Sequence, residues 1–171
     1  KNVIFHIDVN SAFLSWEAVY RLKNGGSVDL RDIPSAVGGD RSKRRGIILA
    51  KSIPAKAFGV RTGEPIVDAM RKCPSLTIIP SHHGMYKEFS KKFMDILREY
   101  TPEVEKYSID EAFMNMTGME RLLGEPVAFA HKLKDRIRTE LGFTVNIGIS
   151  SNKLLAKMAS DFQKPDRVHT L

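Results

Sequence analysis

This 171-residue chain has a single cysteine, a single tryptophan and few aromatic residues, 8% in all. Cys73 has no second thiol to pair with, so an internal disulfide and a Cys-rich zinc site are both excluded, which suits a reducing compartment. Nowhere does an apolar run approach the ~20 residues of a membrane span, and no charged-then-apolar leader opens the sequence. The protein is therefore expected to be cytoplasmic, with no membrane partner. Acidic residues are the minority charge: 20 Asp+Glu against 27 Lys+Arg leave a net +7. Such a balance favours a polyanionic partner, nucleic acid or nucleotide. The chain opens at Lys1 and stops after strand-like residues at Leu171, so it is expected to be a portion of something longer.

What is present divides into two textures. Residues 3–9 are rich in Val, Ile and Phe and run into Asn10-Ser11, then into a helical pattern over 12–22, so a strand leads at once into a helix. From Lys23 to about Pro80, closely spaced Gly and Pro punctuate short segments, the mark of a small subdomain with a strand at 46–51 and a helix at 65–72. Regularity then returns. Tyr86, Phe89, Phe93, Ile96, Leu97 and Tyr100 lie three or four apart on one helical face. Residues 103–107 and 112–117 read as a hairpin, 127–141 as a helix, 143–149 as an alternating strand and 152–162 as a further helix. This order predicts an α+β fold: a split βαβ, ferredoxin-like sheet, rich in antiparallel pairs and with helices on one side, carrying an inserted small α/β subdomain.

Chemistry concentrates at three acids. Asp8 ends the first strand, and Asp110 and Glu111 stand in the Ser108-Ile109-Asp110-Glu111 tetrad between the hairpin strands. A first strand lying beside that hairpin would bring all three to one edge, an arrangement that is costly in a basic chain unless cations join them. Two Mg²⁺ ions ~3.5–4 Å apart on shared carboxylates can activate a hydroxyl and steady a leaving pyrophosphate. Hard oxygen donors suit Mg²⁺ or Mn²⁺ rather than zinc. Pattern alone equally allows Asp8 to be a helix cap and Asp110 and Glu111 to be turn residues. Lys153 and Lys157 lie four apart, opposite an apolar face of Leu154, Leu155, Met158 and Phe162, and Lys164 follows. Mobile point charges there suit a triphosphate, with a solvated basic face as the alternative, to which Lys153 is assigned.

Other features point to ordinary structure. Gly38-Gly39-Asp40 is similar to the signature loop of diguanylate cyclases, but Arg41-Ser42 follows, so a turn is expected. His82-His83 are expected to face solvent. The basic run Arg41, Lys43, Arg44 and Arg45 reads as a solvated loop, with template phosphate contact as the second choice.

Four strings occur in order along nearly the whole chain: Ile7-Asp8-Val9-Asn10-Ser11-Ala12-Phe13; Ala55-Lys56-Ala57-Phe58-Gly59-Val60; Tyr107-Ser108-Ile109-Asp110-Glu111-Ala112-Phe113; and the run from Gly148 through Asp161 to Lys164-Pro165. Together they resemble the successive motifs of Y-family translesion DNA polymerases of the bacterial DNA polymerase IV kind. The resemblance implies a catalytic palm over 1–12 and 77–171 and fingers over 13–76, with thumb and little finger outside this chain. It implies Asp8, Asp110, Glu111 and the backbone carbonyl of Val9 as ligands of two Mg²⁺ ions, with Mn²⁺ as a possible substitute. Phe13 falls at the steric gate, where a bulky ring excludes a ribose 2′-hydroxyl; without the motif it would read as a core residue. Lys56, Lys157 and Lys164 would meet the nucleotide phosphates. Primer-template DNA, dNTPs and, in the full-length protein, a sliding clamp are the implied partners. The chain departs from that pattern at Ala50, Ile53 and Lys56, where a hydroxyl residue, a Tyr and an Arg are usual, so the triphosphate loses a bidentate fork. Two other classes stay open at this level: a non-catalytic DNA-binding or scaffold paralogue and, more remotely, a nucleotide cyclase.

Overall fold

The computed structural model describes residues 1–39 and 46–171, so the expectations placed on Asp40 and on the basic run from Arg41 to Arg45 lie outside the described residues. The chain divides into two compact units: Lys1–Asn10 with Lys87–Leu171, and Ser11–Tyr86. Among the described residues no helix is long and apolar enough to cross a membrane.

The first unit is built on a five-stranded sheet in the order β5-β6-β1-β7-β8. Its strands are β1 (Ile4–Val9), β5 (Val104–Ser108), β6 (Glu111–Asn115), β7 (Val145–Ser150) and β8 (Val168–Thr170). All neighbours run antiparallel except the parallel β7–β8 pair, so the four strands β5, β6, β1 and β7 have the split βαβ arrangement and β8 extends it. After the one-turn α5 (Glu120–Leu123), helix α6 (Pro126–Leu141) starts where the Glu125 side chain accepts from the backbone N–H groups of Val127 and Ala128, with Pro126 at its first position. It stops at Gly142, whose φ of 84° is the left-handed conformation that favours glycine. Helix α7 (Lys153–Ser160) is capped by the Asn152 side chain, which accepts from Leu155 N–H.

Helices were expected on one side of this sheet, and the structure has them on both. Phe5 and His6 are neighbours in β1 and so point to opposite faces. The Phe5 ring meets Phe129 of α6 at 6.2 Å between centroids, whereas the His6 ring bonds to Ser160 of α7. Accordingly β7, between the two helices, is buried at all six positions. The reason for the close seat of α7 is Gly148: a Cβ there would lie 2.0 Å from the Ala156 carbonyl oxygen and 2.4 Å from the Ser160 nitrogen. On the α6 side the core is aromatic, with Phe89 and Phe93 edge-on to Phe143 and Tyr100 edge-on to Phe129.

In the second unit α1 (Ala12–Lys23), a 3-10 turn (Leu30–Asp32), α2 (Ile53–Ala57) and α3 (Ile66–Lys72) accompany a three-stranded sheet of order β3-β2-β4. The strands are β2 (Ser35–Gly38), β3 (Ile48–Lys51) and β4 (Thr77–Pro80). Strand β4 runs parallel to β2, and the unit extends to Tyr86. Strand β2 is buried on both faces: Ala36 joins a cluster with Ile48, Val60, Ile66, Cys73 and Leu76, and Val37 joins one with Leu14, Leu30, Ala50 and Ile79. Cys73 is thus a buried packing residue. This unit also buries Glu17, which accepts from the Tyr86 hydroxyl at 2.5 Å and lies 2.7 Å from His82 Nδ1. His82 faces solvent as expected, and its exposed ring also pairs with this buried carboxylate. Helix α4 (His83–Arg98) begins in this unit and continues into the first.

Candidate active site

The first unit collects six of the expected residues, Asp8, Val9, Asp110, Glu111, Lys157 and Lys164, at one end of its sheet. In the antiparallel register Asp8 of β1 stands opposite Glu111 of β6. Asp110 lies in the two-residue turn before Glu111, and the Val9 N–H donates to its carbonyl at 2.9 Å, which ties that turn to the end of β1. A register shift between Lys106 and Ser108 bends β5 there, the kind of bulge that re-aims side chains. Ser90 of α4 donates to the Ile109 carbonyl at 2.5 Å and holds the turn from beneath.

Each acid has defined partners. Asp8 Oδ2 pairs with Lys164 Nζ at 2.6 Å. Glu111 Oε1 receives Lys157 Nζ at 2.7 Å and faces His6 Nε2 at 3.0 Å. The Ser108 hydroxyl reaches both Asp110 Oδ1 at 2.8 Å and Glu111 Oε2 at 3.0 Å, so those two oxygens lie within the span of one hydroxyl. Among the described residues no group of three or more His, Cys, Asp or Glu side chains forms a ready cation cage. Lysines and a serine fill that part instead.

Electrostatics separate the two facing acids. Burial pushes the Asp8 carboxyl up to about 6; Lys164 opposes the shift, and the charges of Asp110 and Glu111 add to it. Burial also works against ionised Glu111, but the bonds from Lys157 and Ser108 outweigh it and hold this carboxyl below its ordinary value. The bond to Glu111 raises Lys157. Lys164 is raised too, its bond to Asp8 overcoming the cost of burial. His6 is lowered by burial, against the pull of Glu111.

Sequence reasoning missed the frame around these groups. Asn146, opposite Asp8 in β7, is fully buried. It donates to the carbonyls of Ser160 and Gln163 at 2.9 and 2.7 Å and accepts from the Arg167 N–H at 3.2 Å. Asn10 adds a bond from the Asp166 N–H at 3.1 Å, so the segment carrying Lys164 is fixed on both sides. The signal was an asparagine in an otherwise apolar alternating strand. His6 had a similar signal, a polar ring two residues before Asp8 and hence on its face. Lys153 pairs with Glu105 and lies 5.6 Å from the Phe113 ring, away from Asp8 and Glu111 as partners.

Phe13, Lys56 and Ile53 belong to the second unit. The half-buried Phe13 ring stacks on Tyr86 at 4.7 Å, with planes 18° apart. Lys56 and Ile53 are exposed on α2, whose N-terminus is capped by Ser52 accepting from Ala55 N–H.

Residues 7–161 match the impB/mucB/samB family. This chain belongs to that family. It is 54% identical over 169 residues to a protein named DNA polymerase IV from Clostridium acetobutylicum, covering 99% of this chain and 42% of that protein. Its identity to the DNA polymerase IV of Acetivibrio thermocellus is 40%, over 98% of the chain and 41% of the relative. Among solved structures, a chimeric Y-family DNA polymerase superposes with a TM-score of 0.87 at 28% identity, over 99% of this chain and 48% of that one. DinB from Sulfolobus solfataricus gives 0.84 at 27%, with the same coverages. The chain therefore carries a Y-family domain of the impB/mucB/samB kind in an α+β fold, and spans about two fifths of the length of the curated relatives it matches.

Proposed function

We propose that the protein is a template-directed DNA polymerase of the translesion type, the first unit acting as palm and the second as fingers. The observation that carries this reading is the register placing Asp8 opposite Glu111, with Asp110 in the adjoining turn. The donor set fits divalent metal: all are hard oxygens, and the mutual repulsion that helps push Asp8 up to about 6 is what a doubly charged cation relieves. Asp8, Asp110, Glu111 and the Val9 carbonyl would hold two Mg²⁺ ions. Bound there, such ions would supply a lowered pKa for the primer 3′-hydroxyl and charge stabilisation for the departing pyrophosphate.

The chain's own groups supply the rest. Lys164 and Lys157, already beside the acids, neutralise dNTP phosphates as compact charges, and Lys56 contributes a third. Phe13 screens the sugar, supported by its motif and by the ring of Tyr86 that backs it. Primer-template DNA and dNTPs are the substrates, in the cytoplasm and in the tolerance of DNA damage, with a sliding clamp as a further partner of the intact protein. A scaffold paralogue that keeps the fold without the chemistry would have no use for three adjoining acids.

Asp110→Ala and Glu111→Ala in the intact protein test the reading. Primer extension with Mg²⁺ is expected to fall by about 10³-fold or more, while duplex binding is largely kept. Undiminished extension by either variant overturns it.

A further inference from the structure

Near the acids is a buried group with no part in the scheme above. His6 is 1% exposed, and both of its ring nitrogens are engaged: Nδ1 lies 2.7 Å from Ser160 Oγ and Nε2 lies 3.0 Å from Glu111 Oε1. Phe113, opposite it in β6, packs against its ring at 4.9 Å, and Gly148, opposite it in β7, admits α7 close enough for Ser160 to reach it. We propose that His6, braced by Ser160, is a positioning residue that sets the orientation of the Glu111 carboxylate. The inference rests on the reading of Glu111 as a cation ligand.

The hydrogen-bond inventory gives the brace its direction. A carboxylate that holds a cation has no proton to give, so the ring nitrogen facing it must carry the N–H. With the proton on Nε2, Nδ1 accepts from the Ser160 hydroxyl that lies 2.7 Å away. That hydroxyl also lies 2.7 Å from the Lys157 carbonyl, so its one proton has two possible acceptors, and giving it to Nδ1 is what fixes the Nε2–H tautomer.

Two donors therefore meet at Glu111 Oε1, and they differ in kind. Lys157 reaches it from a flexible stem that is 38% exposed, whereas His6 is walled in on every side. With Oε1 anchored by a rigid ring, the carboxylate plane is set and Oε2 is left to Ser108, next to Asp110. Partners that orient a metal ligand in this way typically change metal affinity or activity by roughly 10–100-fold when removed.

The test uses the intact protein with primer-template and a non-transferable dNTP analogue, at one fixed pH. Mn²⁺ binding is read by electron paramagnetic resonance, and the His6 tautomer by ring ¹⁵N shifts. His6→Leu is expected to weaken Mn²⁺ binding roughly 10–100-fold. His6→Gln, which can offer an amide N–H over a similar reach, is expected to recover most of it, as mere filling of space by Leu cannot. Ser160→Ala is expected to give a smaller loss together with a mixed tautomer. Unchanged affinity in His6→Leu, or equal impairment of Leu and Gln, overturns the proposal. If His6→Leu fails to fold, Ser160→Ala decides, and an unchanged tautomer with unchanged affinity overturns it. A wild-type protein that binds no Mn²⁺ defeats the cation reading instead. The ring shifts then still decide the positioning: a single Nε2–H tautomer scrambled by Glu111→Ala supports it, and a mixture in the wild type overturns it.

Discussion

Both units bury carboxylates, but they satisfy them differently. In the second unit Glu17, 1% exposed, accepts from the Tyr86 hydroxyl and pairs with His82, and the Tyr86 ring packs against those of Phe13 and Trp16. The bond to Tyr86 is part of the packing, and burial followed by that bond pushes the Tyr86 phenol well above its ordinary value. In the first unit Asp8 and Glu111 face one another across two strands and take lysines as partners. One acid among fixed aromatic donors holds a structure together. On the proposed reading, several acids crowded together and met by ammonium groups make a place where one cation can be exchanged for another.

The widest gap between these two kinds of acid is expected from truncating each in turn. Glu111→Ala should cost about 10³-fold or more in primer extension with little change in melting temperature. Glu17→Ala strands a buried phenol and a histidine, and is expected to cost about 2 kcal/mol of stability by denaturant titration. Equal stability losses in the two variants would erase the distinction.

Next in size is a pH effect. The folded-state pKa of Asp8, about 6, lies above its ordinary 3.8, so folding disfavours the ionised form. The contribution of Asp8 to metal-free stability is therefore fullest below about pH 4 and is lost as pH rises towards 6, a decline on the order of 2 kcal/mol, whereas that of Glu111 runs the other way. Asp8→Asn should remove that decline, read as melting temperature against pH in the presence of chelator. If Asp8 holds the cation as proposed, Mn²⁺ affinity should rise over the same interval, because the carboxylate must ionise to bind.

Smaller effects sharpen the contrast within the first unit. Asn146→Ala is expected to speed amide exchange selectively over residues 160–167, since three of its four bonds go to that segment's backbone. Lys153→Ala should leave extension unchanged and shift stability by less than about 1 kcal/mol, because its pair with Glu105 is more than half exposed on both sides.

Much of this was legible in the sequence for reasons that can be named. Strand β1 and the β5–β6 hairpin have clear periods, and the three acids stand at their ends; in and just after α7 the expected apolar residues Leu154, Met158 and Phe162 are exposed, and the small residues Ala156, Ala159 and Ser160 are buried instead. The short strands β2 and β4 were not legible: Ser35–Gly38 is made of small residues buried at every position, and Thr77–Pro80 ends in a proline, so neither alternates. Periodicity shows that a strand has two faces but not which helix covers each, which is why α7 was expected beside α6. His6 was read as one more member of an apolar run. Its meaning depended on Ser160, 154 residues later, and no local pattern joins the two.

The seat of α7 against β7 has a wider implication. The spacing between that helix and the sheet is set by an atom that is missing at position 148, and both Lys157 and Ser160 ride on the helix. The aim of the acids thus depends on a residue that touches none of them and carries no functional group. One additional carbon beneath the helix would lift lysine and serine together, so a single methyl group could disarm a centre whose every polar side chain remained in the sequence.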